Sequence, residues 1–271
     1  MDFKAKAAEA TEEINRWAGE KTNGKIPKLF DEPLDRDTRL VLLNALYFKG
    51  GWAFPFHNSS TEEREFTLPL PGQPKVNVSM MAKYDEKLRH ASFEDGDLVE
   101  LPYEGNTLSM LLFLPNQART PQNQSSISGA FLKALKAQSE AGSLLSAYGK
   151  LRTTDVNLML PRFKVESSFK LKPILQVLGI RTAFDEQKVD FSGMTGQRNL
   201  VLSEVVHKTF VKVNEEGSEA AAVTAGVMVK LLSARFTDPK TVNFNRPFLF
   251  AIRDNAKQLT LFAGIINKPE Y

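Results

Sequence analysis

The first part of the chain has apolar residues spaced three or four apart among charged residues. This period predicts an amphipathic helix over residues 5–19. Its apolar side chains are Ala7, Ala10, Ile14 and Trp17. The dipeptide Asn23-Gly24 predicts the end of the helix, because it accepts the left-handed conformation that terminates helices.

A continuous apolar run follows at Leu40–Phe48. Because the run does not alternate between apolar and polar residues, it predicts a strand buried on both faces in the centre of its sheet. Short strand-like runs then recur with turn residues between them, which predicts an antiparallel β region. These runs are 64–68, 75–83, 87–93, 97–102 and 107–114.

The rest of the chain mixes helices and strands without a regular βαβ order. Helical spacing returns at 125–148 and at 170–178, where Gly179 ends the helix. Further strands are predicted at 156–160, 201–213, 241–244, 247–253 and 258–265. This order predicts an α+β fold, and we expect a single domain over residues 1–271 because no repeat or low-complexity linker divides it.

The composition is that of a globular protein, with 42% hydrophobic and 25% charged residues. The 35 basic and 32 acidic residues are interspersed and leave a net charge of +3, so no dense basic stripe indicates nucleic acid as a partner. At most, we expect weak contact with a sulfated glycosaminoglycan. No apolar run in the sequence reaches the ~18 residues that a membrane span needs, so no membrane partner is expected.

The sequence contains no local motif for catalysis or cofactor binding. It has no cysteine, no phosphate-binding glycine loop and no His-Glu-x-x-His motif. The three histidines, His57, His90 and His207, are far apart and have no acidic neighbour at ligand spacing. We therefore expect no cofactor, no metal and no enzymatic activity; a catalytic triad assembled from distant residues is the enzyme alternative.

Three N-x-Ser sequons begin at Asn58, Asn77 and Asn123. The motif is short and common by chance, so it only favours secretion. The N-terminal residues lack the apolar stretch of a signal peptide. We expect a secreted, extracellular glycoprotein whose natural N-terminus is absent from this chain, and the alternative is a cytosolic protein.

Residues 217–226 are small and lie between two strand-like flanks. One interpretation is a flexible surface loop. The other is a segment that enters a sheet as a new strand, because small side chains fit there without overpacking. Alternation along such a strand would place on one face Ser218, Ala220, Ala222 and Thr224. Composition leaves both interpretations open.

The stretch Glu215-Glu216-Gly217-Ser218-Glu219-Ala220-Ala221-Ala222-Val223-Thr224 resembles the hinge of inhibitory serpins, with Ser218 where threonine is commoner. Other stretches resemble serpin motifs in the family's order and cover essentially the whole chain. They are residues 14–26 (helix F), 44–52 (third strand of sheet A), 160–163 (sixth strand), 178–180 and 190–193, 206–208 (fifth strand) and 244–250 (family signature).

This resemblance implies the serpin fold, an α+β fold with mixed and antiparallel sheets A, B and C. The N-terminal helices A–E and the first strands of sheet A have no counterpart in this chain. By resemblance, Asn44 and His207 would hydrogen-bond between adjacent strands of sheet A. Arg162 and Glu215 would form an ion pair near Trp52 at the top of that sheet.

The resemblance also implies a suicide inhibitor of serine proteases with residues 215–235 as its reactive centre loop. A protease would be acylated by the loop, which would then insert between the third and fifth strands. The family's usual spacing places the scissile bond at Leu231-Leu232, which suits chymotrypsin-like or elastase-like proteases. Lys230 and Arg235 are alternatives that imply a trypsin-like target.

Two other functions are compatible with the resemblance. One is a non-inhibitory serpin, such as a hormone carrier or a chaperone-like binder, although the alanine-rich hinge argues against it. The other is a serpin fragment that acts only as a substrate or as a binding module. Because the chain has no counterpart of the N-terminal third of the fold, we expect it to be unstable alone or to associate.

Overall fold

The computed structural model of the protein describes residues 3–94, 96–116, 148–218 and 238–271. The chain divides into two compact units, one of residues 1–48 and 165–211 and one of residues 49–164 and 212–271. Nearly all of the predicted helix at 125–148 lies outside the described residues. The same is true of Asn123 and of residues 219–235.

The described residues form strands and helices without βαβ alternation, which confirms the α+β class. The strands are β1 (Leu40–Phe48), β2 (Gly50–Gly51), β3 (Glu62–Thr67), β4 (Lys75–Phe93), β5 (Gly96–Pro102), β6 (Leu108–Pro115), β7 (Arg152–Pro161), β8 (Phe163–Lys170), β9 (Leu202–Val213), β10 (Gly217–Ser218), β11 (Lys240–Asn243), β12 (Phe248–Asp254) and β13 (Leu259–Ile266). The helices with described bounds are α1 (Phe3–Lys21), α2 (Lys172–Val177) and α3 (Ser192–Thr195). In this described part of the chain, no helix combines the length and the apolar character that crossing a membrane requires.

The first unit packs α1 against a three-stranded sheet with the strand order β1-β9-β8. Ile14 and Ala18 of α1 belong to one buried cluster with Val206 and Phe210 of β9. Trp17, which the helical period placed on the same stripe, is 40% exposed. The period therefore predicted the helix and two of its four buried residues, Ala10 and Ile14.

The position of β1 differs from the prediction. The strand lies at the edge of its sheet, where it pairs in parallel with β9. Val41 and Leu43 pack on the cluster under α1, whereas Leu42 and Leu46 are 58% and 40% exposed. The prediction of burial on both faces was wrong. An apolar run shows that the side chains on both faces favour burial, but it does not show which strands or helices lie against each face.

The second unit contains an eight-stranded sheet in the order β11-β7-β4-β5-β6-β12-β13, with β3 paired to β4. The predicted strands 75–83 and 87–93 are one strand, β4, with a bulge between Lys83 and Glu86. Asp85 has φ +56 in this bulge, and its N–H donates to the side-chain oxygen of Asn157 at 2.9 Å. Because β4 pairs with β7 on both sides of the bulge, the strand continues at the position where the sequence favoured a turn.

A buried aromatic group joins β8, β12 and the residue that follows β11. The rings of Phe244 and Phe163 both approach Phe248 edge to face, with centroids 5.1 and 5.7 Å apart. Phe163 also contacts Phe250 at 5.5 Å. Arg162 directly precedes this buried ring, so packing fixes the backbone from which its side chain extends.

We expect the uncharged edge of β1 to make the chain associate. An edge strand with unpaired backbone groups and exposed apolar side chains is a template for pairing with another chain. Replacing Leu42 and Leu46 together by lysine should shift the protein toward monomer in light scattering after gel filtration. Leu70→Lys is the matched control, since Leu70 is 47% exposed but lies in the connection between β3 and β4. Cooperative urea unfolding from a compact monomer of the unsubstituted chain would contradict the expectation.

Candidate functional site

A tight turn reverses the chain at the end of β9. The N–H of Asn214 donates to the C=O of Gly217 at 2.9 Å. The side-chain oxygen of Asn214 accepts the N–H groups of Glu216 and Gly217, each at 3.2 Å. Asparagine suits this position because its short side chain bonds to the backbone a few residues ahead. We call residues 214–218 the hinge turn.

The hinge turn ends in a close approach between two backbones. Gly217 and Ser218 form β10, which pairs antiparallel with Gly51 and Gly50 of β2. Gly217 has φ +143, and a Cβ on it would lie 2.2 Å from the carbonyl oxygen of Gly50. Glycine is therefore required at this position, both for its backbone conformation and for the space.

Ser218 is buried against an aromatic pair. Its Oγ lies 2.9 Å from Oη of Tyr103, whose ring stacks on Trp52 with centroids 4.6 Å apart. Trp52 donates its indole N–H to the C=O of Asn214 and its backbone N–H to the C=O of Glu216, each at 2.9 Å. Burial raises the pKa of Tyr103 far above its ordinary value, and the hydrogen bond with Ser218 opposes this only in part. The phenol is therefore neutral and can donate to Ser218.

Glu215 carries a carboxylate that is bound on several sides and is only 3% exposed. Nε of Arg162 lies 2.8 and 3.0 Å from its two oxygens, and Nη2 lies 2.8 Å from Oε1. Thr61 donates its hydroxyl to the same oxygen. Burial alone would raise the pKa of Glu215, but the hydrogen bonds from Arg162 and Thr61 outweigh burial and hold the pKa below its ordinary value.

Lys83 fixes the chain segment that bonds to the hinge turn. Its Nζ donates to the C=O groups of Phe54 and Pro55 at 2.6 and 2.8 Å and lies 4.8 Å from the centroid of the Phe56 ring. The N–H of Phe56 then donates to the C=O of Glu215 at 2.8 Å. A buried ammonium needs such acceptors. The two hydrogen bonds from Lys83 therefore hold residues 54–56 in place.

Asn44 and His207 are opposite each other in the parallel pair of β1 and β9. Within the described residues no hydrogen bond joins their side chains, which differs from the prediction. The His207 ring instead lies parallel to the Phe169 ring, with centroids 6.4 Å apart. Asn44 is exposed, so its amide can bond to water and gains little from turning toward His207.

The fold also brings Ser92, His90 and Asp97 together, although sequence spacing indicated no acidic neighbour for a histidine. Nε2 of His90 lies 2.9 Å from Asp97 and 3.5 Å from Oγ of Ser92, and Ser92 donates to Asp97 at 2.6 Å. In a catalytic triad the serine and the acid bind opposite ring nitrogens of the histidine. Here both meet the same nitrogen, so the cluster lacks triad geometry. Among the residues described, no group of three or more His, Cys, Asp or Glu is arranged to hold a metal ion.

The remaining predicted site residues are either exposed or outside the described residues. Asn58 is exposed in the 3₁₀ helix Asn58–Ser60, and Asn77 is exposed on β4. The residues outside the described part are Asn123, Glu219, Ala220, Ala221, Ala222, Thr224, Lys230, Leu231, Leu232 and Arg235.

Sequence reasoning missed several residues that hold these elements together. They are Thr61, Lys83, Tyr103 and Lys208. Lys208 of β9 donates to the C=O of Lys28 at 3.0 Å and lies 3.2 Å from Glu166 of β8, so it links the chain after α1 to the sheet. A charge that interrupts an apolar strand pattern was a usable signal for Lys83. Lys208 lies in the stretch 206–208 that resembles the fifth strand, but the resemblance assigned it no contact, and Thr61 and Tyr103 carry no local motif.

These observations define the class of protein. Its sheets are mixed, and the hinge turn connects β9 to the small residues 217–226 of the sequence. The family model described as serpin (serine protease inhibitor) matches residues 1–269. The chain belongs to the serpin family. The serpin fold implied by the sequence motifs is confirmed, since serpin structures cover the whole chain.

The chain is similar to serpins from several animals. It is 39% identical over 271 residues to Iripin-8 of Ixodes ricinus. This alignment covers 98% of this chain and 63% of Iripin-8. It is 38% identical over 272 residues to a leukocyte elastase inhibitor of Xenopus laevis, with 99% and 68% covered. The structure of Serpin48, a highly specific serpin of the insect Tenebrio molitor, superposes on this chain with a TM-score of 0.78 at 31% sequence identity. The superposition covers 100% of this chain and 67% of the Serpin48 chain. The chain thus spans about two thirds of the length of these relatives.

Gly217→Ala should release the hinge turn. The added Cβ meets the carbonyl of Gly50, so the free energy of unfolding should fall by about 1–3 kcal/mol more than for a glycine in open space. Gly105→Ala is the matched control, because Gly105 also has positive φ but no atom within 4 Å of the added Cβ. In a Trp17→Phe background, acrylamide should quench Trp52 more strongly in Gly217→Ala than in the control. Equal quenching in both would contradict the close approach.

Acid should release the hinge turn by protonating Glu215. Because its pKa is lowered in the folded protein, its stabilising effect is complete above the ordinary value of 4.5 and is lost as the pH falls through the native pKa. In the Trp17→Phe background, Trp52 emission should therefore change below pH 4.5. Glu215→Gln should abolish this transition, and Glu65→Gln, at an exposed carboxylate, should retain it. A transition that survives Glu215→Gln would assign it to another group.

Proposed function

We propose that this serpin inhibits serine proteases by a reactive loop that begins in the hinge turn and continues through residues 219–235. The serine of the protease would attack the carbonyl carbon before the scissile bond. An ester would form with the inhibitor, and the amine of the following residue would leave. Insertion of the loop into its own sheet would then carry the attached protease along and distort its triad before water attacks the ester.

The docked hinge turn is the observation that carries this proposal. The chain leaves β9, reverses at Asn214 and pairs Gly217 and Ser218 antiparallel with β2, which directly follows β1 in the chain. Because the turn reverses the chain after Val213, residues after Ser218 that continued in this direction would run antiparallel to the end of β9. This direction supports insertion beside that strand.

Backbone pairing supplies a driving force for insertion. β1 and β9 now share one parallel ladder from Leu40 to Phe48. An inserted strand would replace it by two antiparallel ladders, which are slightly more stable per residue. With about 0.5–1.5 kcal/mol for each net hydrogen bond, a strand as long as β1 would contribute several kcal/mol and release strain held in the uncleaved state.

The alternation of small residues in the hinge agrees with this mechanism. Ser218 has its side chain fully buried against Tyr103. Continued alternation would turn Ala220, Ala222 and Thr224 to the same side. Only small side chains would enter a sheet there quickly enough to outrun hydrolysis of the ester, because overpacking slows or blocks insertion.

For the target, we propose a chymotrypsin-like or elastase-like protease that cleaves Leu231-Leu232. An apolar leucine before the scissile bond fits an apolar specificity pocket. The similarity to a protein named leukocyte elastase inhibitor supports this choice. Cleavage after Lys230 or Arg235 would instead indicate a trypsin-like target.

We also propose that the protein acts outside the cell and carries glycans. The exposed side chains of Asn58 and Asn77 support this, since glycosylation requires accessible sequons. Contact with a glycosaminoglycan would be weak, because the net charge is only +3.

Incubation with chymotrypsin, elastase and trypsin followed by denaturing gel electrophoresis tests the proposal. We expect an SDS-stable complex with chymotrypsin or elastase, and mass spectrometry of the released C-terminal peptide should locate the cut at Leu231-Leu232. Cleavage of the chain without a complex would contradict inhibition and favour a substrate or a binding module.

Two hinge variants test the inserted register. Ala222→Glu puts a charge on the face that would turn inward, so it should convert the inhibitor into a substrate that is cleaved without a complex. Ala221→Glu is the matched control, because alternation turns it to the opposite face and complex formation should persist. The ratio of complex to cleaved chain on the gel is the measurement, and equal loss in both variants would contradict the register.

A further inference from the structure

Tyr271 contacts two cations near the hinge turn. The centre of the Arg162 guanidinium lies 5.3 Å from the centroid of its ring, and Nζ of Lys212 lies 4.2 Å from the same centroid. Both distances are within the range of cation–π attraction. Tyr271 itself is 53% exposed, so these contacts lie at the protein surface.

The two cations lead directly to the hinge turn. Arg162 lies between β7 and β8 and is the cation bound to Glu215. Lys212 lies in β9, two residues before Asn214. The ring of Tyr271 thus contacts the partner of the buried carboxylate and the strand that enters the turn.

The residue before Tyr271 is anchored to the sheet. The C=O of Glu270 accepts the N–H of Lys164 at 2.5 Å, which ties the segment after β13 to the start of β8. Nζ of Lys268 lies 3.1 Å from the Glu270 carboxylate. This anchor limits where the ring of Tyr271 can lie, and the two cation–π contacts are made by the ring.

Arg162 needs such a contact because its own side chain is 30% exposed. A long side chain at the surface loses conformational entropy when it is held in one geometry. Lys212 also carries a positive charge, and its attraction to the negative face of the same ring offsets part of its repulsion of Arg162. Other charged groups that act on Arg162 are Glu215 and Glu63.

We propose that Tyr271 is a positioning residue that holds Arg162 against Glu215 and thereby keeps the hinge turn docked. Its effect on loop insertion rests on the proposed inhibitory function, but its effect on docking does not. Loss of the ring would leave the ion pair formed for a smaller fraction of the time, and the hinge turn would open more often.

Acrylamide quenching of Trp52 in the Trp17→Phe background tests docking without any protease. Tyr271→Ala should raise the quenching constant and the hydrogen-exchange rates of the Trp52 and Phe56 amides, which donate to the hinge turn. The expected change in exchange is roughly two- to fivefold, the equivalent of one exposed cation–π contact. Failure of the protein to inhibit proteases would leave this measurement unaffected.

Two further variants make the assignment specific. Tyr271→Phe keeps the ring and should behave as the unsubstituted protein. Tyr84→Ala removes a tyrosine of similar exposure, 51%, on β4 and should leave both readouts unchanged. If Tyr271→Ala behaves as Tyr84→Ala, or if Tyr271→Phe behaves as Tyr271→Ala, the proposal is overturned.

The acid transition of the hinge turn reports whether Tyr271 acts through Arg162. A less firmly held Arg162 lowers the pKa of Glu215 less, so Tyr271→Ala should move the midpoint of the Trp52 transition to higher pH. A general loosening of the segment after β13 would raise quenching without moving this midpoint. An unchanged midpoint would therefore overturn the route through Arg162.

Discussion

The buried carboxylate of Glu215 is the constraint on which the hinge turn depends. Leaving a buried charge without its partner costs about 3–5 kcal/mol, so the turn can stay docked only while Arg162 and Thr61 bind that carboxylate. Arg162 in turn projects from a backbone fixed by the buried ring of Phe163. A chain of contacts therefore runs from the core of the eight-stranded sheet to the first residues of the proposed loop.

Hydrogen bonds make up most of the other contacts of the docked turn. Gly217 and Ser218 meet β2 through backbone groups, and the glycines there bury little apolar surface. The stacked rings of Trp52 and Tyr103 form the wall on which the turn docks, so release of the turn should expose Trp52. Elements held by few apolar contacts are the ones that move at low free-energy cost. This division between a fixed wall and a releasable turn suits a segment that must change partners.

The elements could be predicted from local pattern because each depends on neighbours along the chain. The helical period found α1, and the apolar runs found β1 and β9 to within a few residues. Bends and edges could not be predicted in this way. The sequence favoured a break within β4, but pairing with β7 carries that strand through a bulge at Asp85. The apolar run of β1 indicated a central strand, but its edge position depends on which strands are present to pair with it.

By itself, the sequence determined most of the elements and the α+β class, because these depend on local composition and spacing. Its resemblance to the family supplied the order of the serpin motifs and the hinge residues. The family resemblance also predicted the pair of Arg162 and Glu215, which the structure brings together across a separation of 53 residues. Only the tertiary structure decided the other contacts, which join Tyr103 to Ser218 across 115 residues and Tyr271 to both Arg162 and Lys212. It also placed Asn44 opposite His207, and among the described residues no hydrogen bond joins their side chains. The reason is physical: hydrogen bonds and ion pairs form over about 3 Å in space, and only the packed sheets fix which distant residues come that close.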